Sequence, residues 1–265
     1  MSYAIPDPRW EEPNLLIPGV KPTGPVAINR DNDIGRHIAT DSVCIINPPS
    51  ISEIYANEIY NNFKMPVTDL YTNSPYVGVN DRGNIALIRE SQGGGGGANK
   101  FGLVGQKLSS MTTCTFLFVG ARLYRGAGQL DMPIYKEARS GYISGLVVGD
   151  DFISARVTEM QYGDERGRKI AISTDDETTH GYAFVWRGGA VMDSYVDGAV
   201  SGTDESTEDV SSTWNDVTPA ASVFTDNTYT HGASIEVLVY LPNVAISEAS
   251  ARSWTLDPYQ FLQPA

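Results

Sequence analysis

The side chains in this sequence that could do chemistry are mostly carboxylates. Asp175-Asp176-Glu177 and Glu205-Ser-Thr-Glu208-Asp209 are the densest acidic clusters, and both fall in polar, turn-forming text that predicts solvated loops. Hydrolysis by a serine nucleophile would be signalled by a Gly-x-Ser-x-Gly elbow, which is absent. His37, His180 and His231 are far apart in the sequence, and no His-Glu-x-x-His occurs. The two cysteines, Cys44 and Cys114, are too few for a disulfide scaffold or a thiolate zinc site; both sit in apolar, strand-like stretches, as small buried hydrophobes do. The expectation from these patterns is a protein that is not an enzyme and carries no resident cofactor.

Calcium is weighed separately, because loop carboxylates and carbonyls suit that ion. Between Gly188 and Ala251 there is no Lys or Arg, whereas Asp193, Asp197, Asp204, Glu205, Glu208, Asp209, Asp216, Asp226, Glu236 and Glu248 all lie there. A stretch of one sign fits a bound cation, a basic partner surface or plain solubility. Asp204, Glu205, Glu208 and Asp209 are the candidate metal ligands, although no regular Asp-x-Asp-x-Asp-Gly loop is present. For sugar binding, an aromatic ring can stack on the face of a pyranose. Trp214, in the polar run Ser211–Val217, and Tyr229 are the candidates, whereas Trp186 lies on a strand and reads as core.

These side chains need a scaffold, and composition restricts which kind. The chain has 265 residues, 41% of them apolar, enough for a substantial core. Charged residues are only 19%, while glycine and proline number 26 and 15, a balance that favours strands and tight turns over a helical bundle. The net charge of −13 argues against nucleic-acid binding. No run nears the ~18 apolar residues of a membrane span, and Met1–Pro8 lacks the basic start and apolar core of a signal peptide. The expectation is synthesis in the cytoplasm, without secretion or membrane insertion.

Residues 1–36 read as an extended arm. Pro6, Pro8, Pro13, Pro18, Pro22 and Pro25 are too closely spaced for a helix or central strand, yet Trp10, Leu15, Leu16, Ile17 and Val20 are apolar in a way free tails are not. Such an arm docks on its own domain or on a neighbouring subunit, and those five residues are its candidate contacts. Residues 37–265 read as one domain. The spacing within Ile51–Phe63 is compatible with a short amphipathic helix, and Gly93–Gly97 reads as a loop tip with no Gly-Lys-Ser/Thr after it to make a phosphate cradle. Strands are predicted at Thr113–Tyr124, Tyr142–Val148, Phe152–Met160, Lys169–Ser173, Tyr182–Arg187, Ala190–Asp197 and Ser234–Leu241. Arg187-Gly188-Gly189 and Asp197-Gly198 supply two tight turns, making a β-meander of Tyr182–Gly198. Ser247 can cap a short helix with Glu248 in its first turn, and the aromatics of Asp257-Pro-Tyr-Gln-Phe261 anchor the end of the chain.

Three stretches carry a family resemblance. Gly181–Gly198, with its Tyr195-Val-Asp-Gly198 strand end, resembles the central hairpin of concanavalin A-like, laminin-G-like jelly rolls. Ile235–Trp254 followed by Asp257-Pro-Tyr-Gln-Phe261 is similar to that superfamily's last strand, closing helix and aromatic ending, with Asp-Pro-Tyr in place of the commoner Asn-Pro-Trp. Asn14-Leu-Leu-Ile-Pro-Gly-Val-Lys-Pro-Thr-Gly-Pro-Val26 resembles the opening of such proteins in tailed bacteriophages. The resemblance implies an all-β antiparallel sandwich, a concanavalin A-like jelly roll with an extended N-terminal arm and a short C-terminal helix. It implies a virion structural protein, a capsid decoration or a head or tail appendage. This would be a homo-oligomer held to capsid or tail proteins by its arm. The alternative is a carbohydrate-binding module for a host glycan. A glycosidase is the third reading, but superfamily members of that kind carry carboxylates along one strand, as in Glu-x-Asp-x-x-Glu, and no such run is present.

Overall fold

A computed structural model of the chain describes residues 26–38, 44–46, 76–89, 101–104, 113–123, 132–137, 144–148, 152–156, 168–171, 173, 176–188, 192–204, 220–223 and 232–264. In chain order the elements are β1 (Val26–Ile28), α1 (Asp33–Ile38), β2 (Cys44–Ile46), β3 (Tyr76–Val79), β4 (Ile85–Arg89), β5 (Phe101–Val104), β6 (Cys114–Arg122), β7 (Met132–Glu137), β8 (Ser144–Val148), β9 (Phe152–Arg156), β10 (Arg168–Ala171), β11 (His180–Trp186), β12 (Met192–Val196), β13 (Ala199–Val200), β14 (Thr203–Asp204), β15 (Ala220–Val223), β16 (Ala233–Pro242), α2 (Glu248–Leu256) and β17 (Leu262–Pro264). All the strand pairings described are antiparallel.

The strands form two large sheets. One runs β13-β12-β11-β6-β16-β4-β3, with β2 pairing the second half of β16; the other runs β14-β10-β9-β8-β7-β15-β5. Contacts between β6 and β8, and between β10 and β12, bring the sheets face to face. The chain is thus an all-β antiparallel sandwich with a short C-terminal helix, as the strand spacing and turn residues predict. The seven predicted strands appear as β6, β8, β9, β10, β11, β12 and β16, with ends displaced by a few residues.

Alternation explains why β6 is buried along its whole length. Phe116 and Phe118 point to one face, where they stack on Tyr240 and Tyr182 of the flanking strands at ring-centroid distances of 4.6 and 5.6 Å. Leu117 and Val119 point to the other, into a core with Val185, Val239, Trp254, Phe261 and Ile34. Trp186 and Cys114 are fully buried.

The second face of the β6 sheet is covered by α2 and the end of the chain. Ser247 caps α2, its hydroxyl accepting from the Ser250 N–H, which is worth about 1 kcal/mol. Helix and strand meet closely at Gly181, where a Cβ would lie 2.3 Å from the Thr255 carbonyl oxygen. Tyr259 and Phe261 are buried, so the terminal aromatics do anchor the end of the chain. Beyond them β17 pairs with β1, Val26 opposite Pro264 and Ile28 opposite Leu262. Asn32 then caps α1, Ile34 enters the core, and the Ser250 hydroxyl donates to Asp33 at 2.5 Å.

Residues 26–36, read from sequence as the last part of the arm, are therefore tied to the sandwich through β1 and α1. Trp10, Leu15, Leu16, Ile17 and Val20 lie outside the described residues, as do Ile51–Phe63 and Gly93–Gly97, read from sequence as compatible with a helix and as a loop tip.

Candidate functional site

Three segments converge at the start of β11, and hairpin register decides which. The β11–β12 pairing sets Tyr182 opposite Val196, so the Asp197-Gly198 turn lies beside His180 and Gly181. Asp197 and Gly198 have φ of 45° and 81°, the left-handed backbone a two-residue turn requires. The turn is fastened to α2: Gly198 N–H donates to the Thr255 hydroxyl at 2.8 Å, and Arg252 Nε donates to the Gly198 carbonyl at 2.7 Å. From the third side, Asp81 of the β3–β4 turn accepts the Thr179 N–H at 2.9 Å and also the Thr179 hydroxyl.

His180 sits at the centre. Its Nδ1 is 2.5 Å from Asp197 Oδ2; its Nε2 is 3.1 Å from Asp176 Oδ2 and 2.8 Å from Thr178 Oγ1. The Thr178 hydroxyl also contacts Asp176 Oδ1 at 2.6 Å, and Gly181 N–H donates to Asp197 Oδ1 at 3.0 Å. The hydrogen bond with Asp197, aided by both carboxylates' charge and opposed by desolvation, raises the His180 pKa above its ordinary 6.5. The Thr178 hydrogen bond leads in holding Asp176 below 3.8. Burial opposes the charge on Asp197, but the His180 and Gly181 hydrogen bonds and the nearby Arg82 hold it below 3.8 as well.

Hydroxyl, imidazole and carboxylate in this order have the outline of a hydrolytic relay, but the protons are in the wrong places. A carboxylate only accepts, so the Thr178 hydrogen is committed to Asp176. The second carboxylate at Nε2 then keeps that nitrogen protonated, leaving no lone pair to act as a general base. What this geometry can do is hold two loops together.

A second buried polar group lies on β16. A register shift between Ile235 and Val237 makes Glu236 the extra residue of a bulge. Its carboxylate is fully buried and accepts from Asn80 Nδ2 at 2.5 Å, Asn84 Nδ2 at 3.0 Å and the Tyr259 hydroxyl. It ties the β3–β4 turn and the chain's end to the sheet.

The acidic stretch is therefore not a uniform outward surface in its described part. Asp193 pairs with Arg187 at 2.8 Å, Asp197 with His180, and Glu248 with Arg252 at 3.3 Å, while Glu236 is internal. Asp204 closes β14; Glu205, Glu208, Asp209, Trp214 and Tyr229 lie outside the described residues. Among the described residues no cluster of three or more His, Cys, Asp or Glu could hold a metal ion, and no helix is long and apolar enough to cross a membrane.

Neither a protein-family model nor a curated protein matches this chain. Solved structures match it in fold. A receptor-binding domain aligns over 83% of the chain and 52% of its own length, with a TM-score of 0.54 and 8% identity. A structure of botulinum neurotoxin type C, described with cell entry dependent on interaction with two ganglioside molecules, aligns over 82% of the chain and 51% of its own length, with a TM-score of 0.52 and 8% identity. The binding domain of Paraclostridial Mosquitocidal Protein 1 aligns over 81% and 52%, with a TM-score of 0.52 and 9% identity. This chain thus spans about half the length of each. At such identities the likeness is one of fold.

Proposed function

We propose that this chain is a non-catalytic β-sandwich that recognises carbohydrate. The observation that supports it most is the match of the sandwich, over four-fifths of the chain, to a receptor-binding domain and to a botulinum neurotoxin type C structure described with cell entry that depends on gangliosides. This support favours glycan recognition over virion attachment, which the sequence resemblance puts first. The proposed contacts are Trp214 and Tyr229, whose rings would stack on a sugar face, and a sialylated oligosaccharide is the class to try first. Retention on ganglioside-bearing liposomes should weaken about tenfold in Trp214→Ala or Tyr229→Ala, since losing one stacked ring costs roughly 1.4 kcal/mol. Unchanged retention in both variants would remove these residues from the site.

Attachment to a virion is a separate proposal for residues 1–25, carried by the sequence resemblance alone. Deleting them, while sparing β1, should abolish incorporation into particles; undiminished incorporation would end it.

A further inference from the structure

We propose that His180 is a doubly protonated clasp that locks the 176–180 segment onto the β12–β13 turn in acidic to neutral solution and releases it in alkaline solution. Asp176 presents Oδ1 to the Thr178 hydroxyl at 2.6 Å and Oδ2 to His180 Nε2 at 3.1 Å. A carboxylate has no hydrogen to give, so Thr178 gives its own to Asp176 and can only accept from Nε2, 2.8 Å away. Nε2 must therefore carry a hydrogen, shared between Asp176 and Thr178. On the other side Nδ1 faces Asp197 Oδ2 at 2.5 Å, another pure acceptor. Both ring nitrogens must be protonated for the contacts to hold together, and a neutral ring would turn a lone pair toward one carboxylate.

The clasp joins two parts of the chain just beyond the β11–β12 ladder, whose last rung is the Asp197 N–H donating to the Gly181 carbonyl at 3.1 Å. One is the segment from Asp176, whose N–H donates to the Ser173 carbonyl at 3.0 Å. The other is the Asp197-Gly198 turn, which carries the Arg252 and Thr255 contacts of α2. Other groups face the site from each neighbouring element. Asp81 and Arg82 come from the β3–β4 turn, the former through Thr179 and the latter acting on Asp197. Tyr182 meets the His180 ring edge-on at 6.1 Å; burial raises its pKa, so it stays neutral through the range concerned. Arg122 on β6 acts on Tyr182, and Arg252 on α2 bonds the Gly198 carbonyl.

The sign follows from the directions of the shifts. His180 is raised, so its contribution is complete below its unfolded value of about 6.5 and is lost as pH rises through the higher folded value. Asp176 and Asp197 are lowered, so theirs is complete above about 3.8 and is lost as pH falls through their folded values. The clasp is fully closed between these limits and opens first on the alkaline side.

The test is NMR on the full chain from pH 5 to 9, following ring nitrogen shifts and the exchange of the Gly181 amide, which the clasp holds to Asp197, corrected for intrinsic rates. The ring resonance absent from His180→Gln should report an imidazolium at pH 6.5. Protection of Gly181 should fall as that ring loses its proton, by about tenfold per unit separating the folded and unfolded pKa values. Asp197→Asn, which keeps the ring and its signal, should shift the ring's titration to lower pH. In His180→Gln the protection should be low and indifferent to pH. A neutral ring in the wild type at pH 6.5, or the same pH dependence of protection in His180→Gln as in wild type, would overturn the proposal.

Discussion

Gly181→Ala is expected to destabilise the chain by about 3 kcal/mol, lowering the melting temperature by roughly 10 °C, although it adds a single methyl group. The reason is what that methyl meets: the Thr255 carbonyl oxygen at 2.3 Å and Thr255 C and Cα at 3.0 Å, all of them backbone. A flexible side chain could step aside, but backbone can move only if the last turn of α2 moves with it. That turn belongs to a helix whose Trp254 is fully buried in the core over β6 and β11, so the shift would open packing along the whole face. Gly83→Ala is the control. Gly83 has a φ of 77° with nothing within 4 Å of a new Cβ, so only the left-handed conformation is penalised, by about 1 kcal/mol. Thermal or urea unfolding of the two variants should separate them clearly, and equal losses would show that α2 does not press on β11 as described.

Glu236→Ala should cost roughly 2–4 kcal/mol for a different reason. Removing this carboxylate takes the acceptor from three donors, those of Asn80, Asn84 and Tyr259. The two asparagines are half-buried and can turn to water, but the Tyr259 hydroxyl is buried and loses its partner inside the protein. Glu236→Gln keeps the shape and one acceptor oxygen, and should fall between Ala and wild type. An alanine variant as stable as the wild type in urea unfolding would show that the bulge needs no acceptor.

The contrast between these two sites bears on what the sequence could reveal. Strands such as Cys114–Arg122 and Ala233–Pro242 stand out because long β-branched and aromatic runs are bounded by turn formers, and Ser247 marks the start of α2 by its own chemistry. Strands β1 and β2, of three residues each, are too short to show a period, and β1 finds its partner at the opposite end of the chain, which no local pattern encodes. Glu236 reads as one more member of an acidic stretch because a bulge leaves no mark on composition.

The His180 cluster was half legible. Three histidines scattered through the sequence suggest no site, and Asp176 looks like a solvated loop residue. Yet the Tyr182–Gly198 meander, once given its register, already places Asp197 next to the residue preceding Gly181. Counting pairs outward from the Arg187-Gly188 turn was the available signal. The meeting of Asp81 with Thr179, 98 residues apart, had none.

Glycan recognition is tested most directly by probing a glycan array with the purified full chain. Retention on sialylated, ganglioside-type oligosaccharides, displaced by the same oligosaccharide in solution, is the predicted result. Absence of retention on every carbohydrate of the array, with the chain folded as judged by its melting curve, would overturn the proposed function.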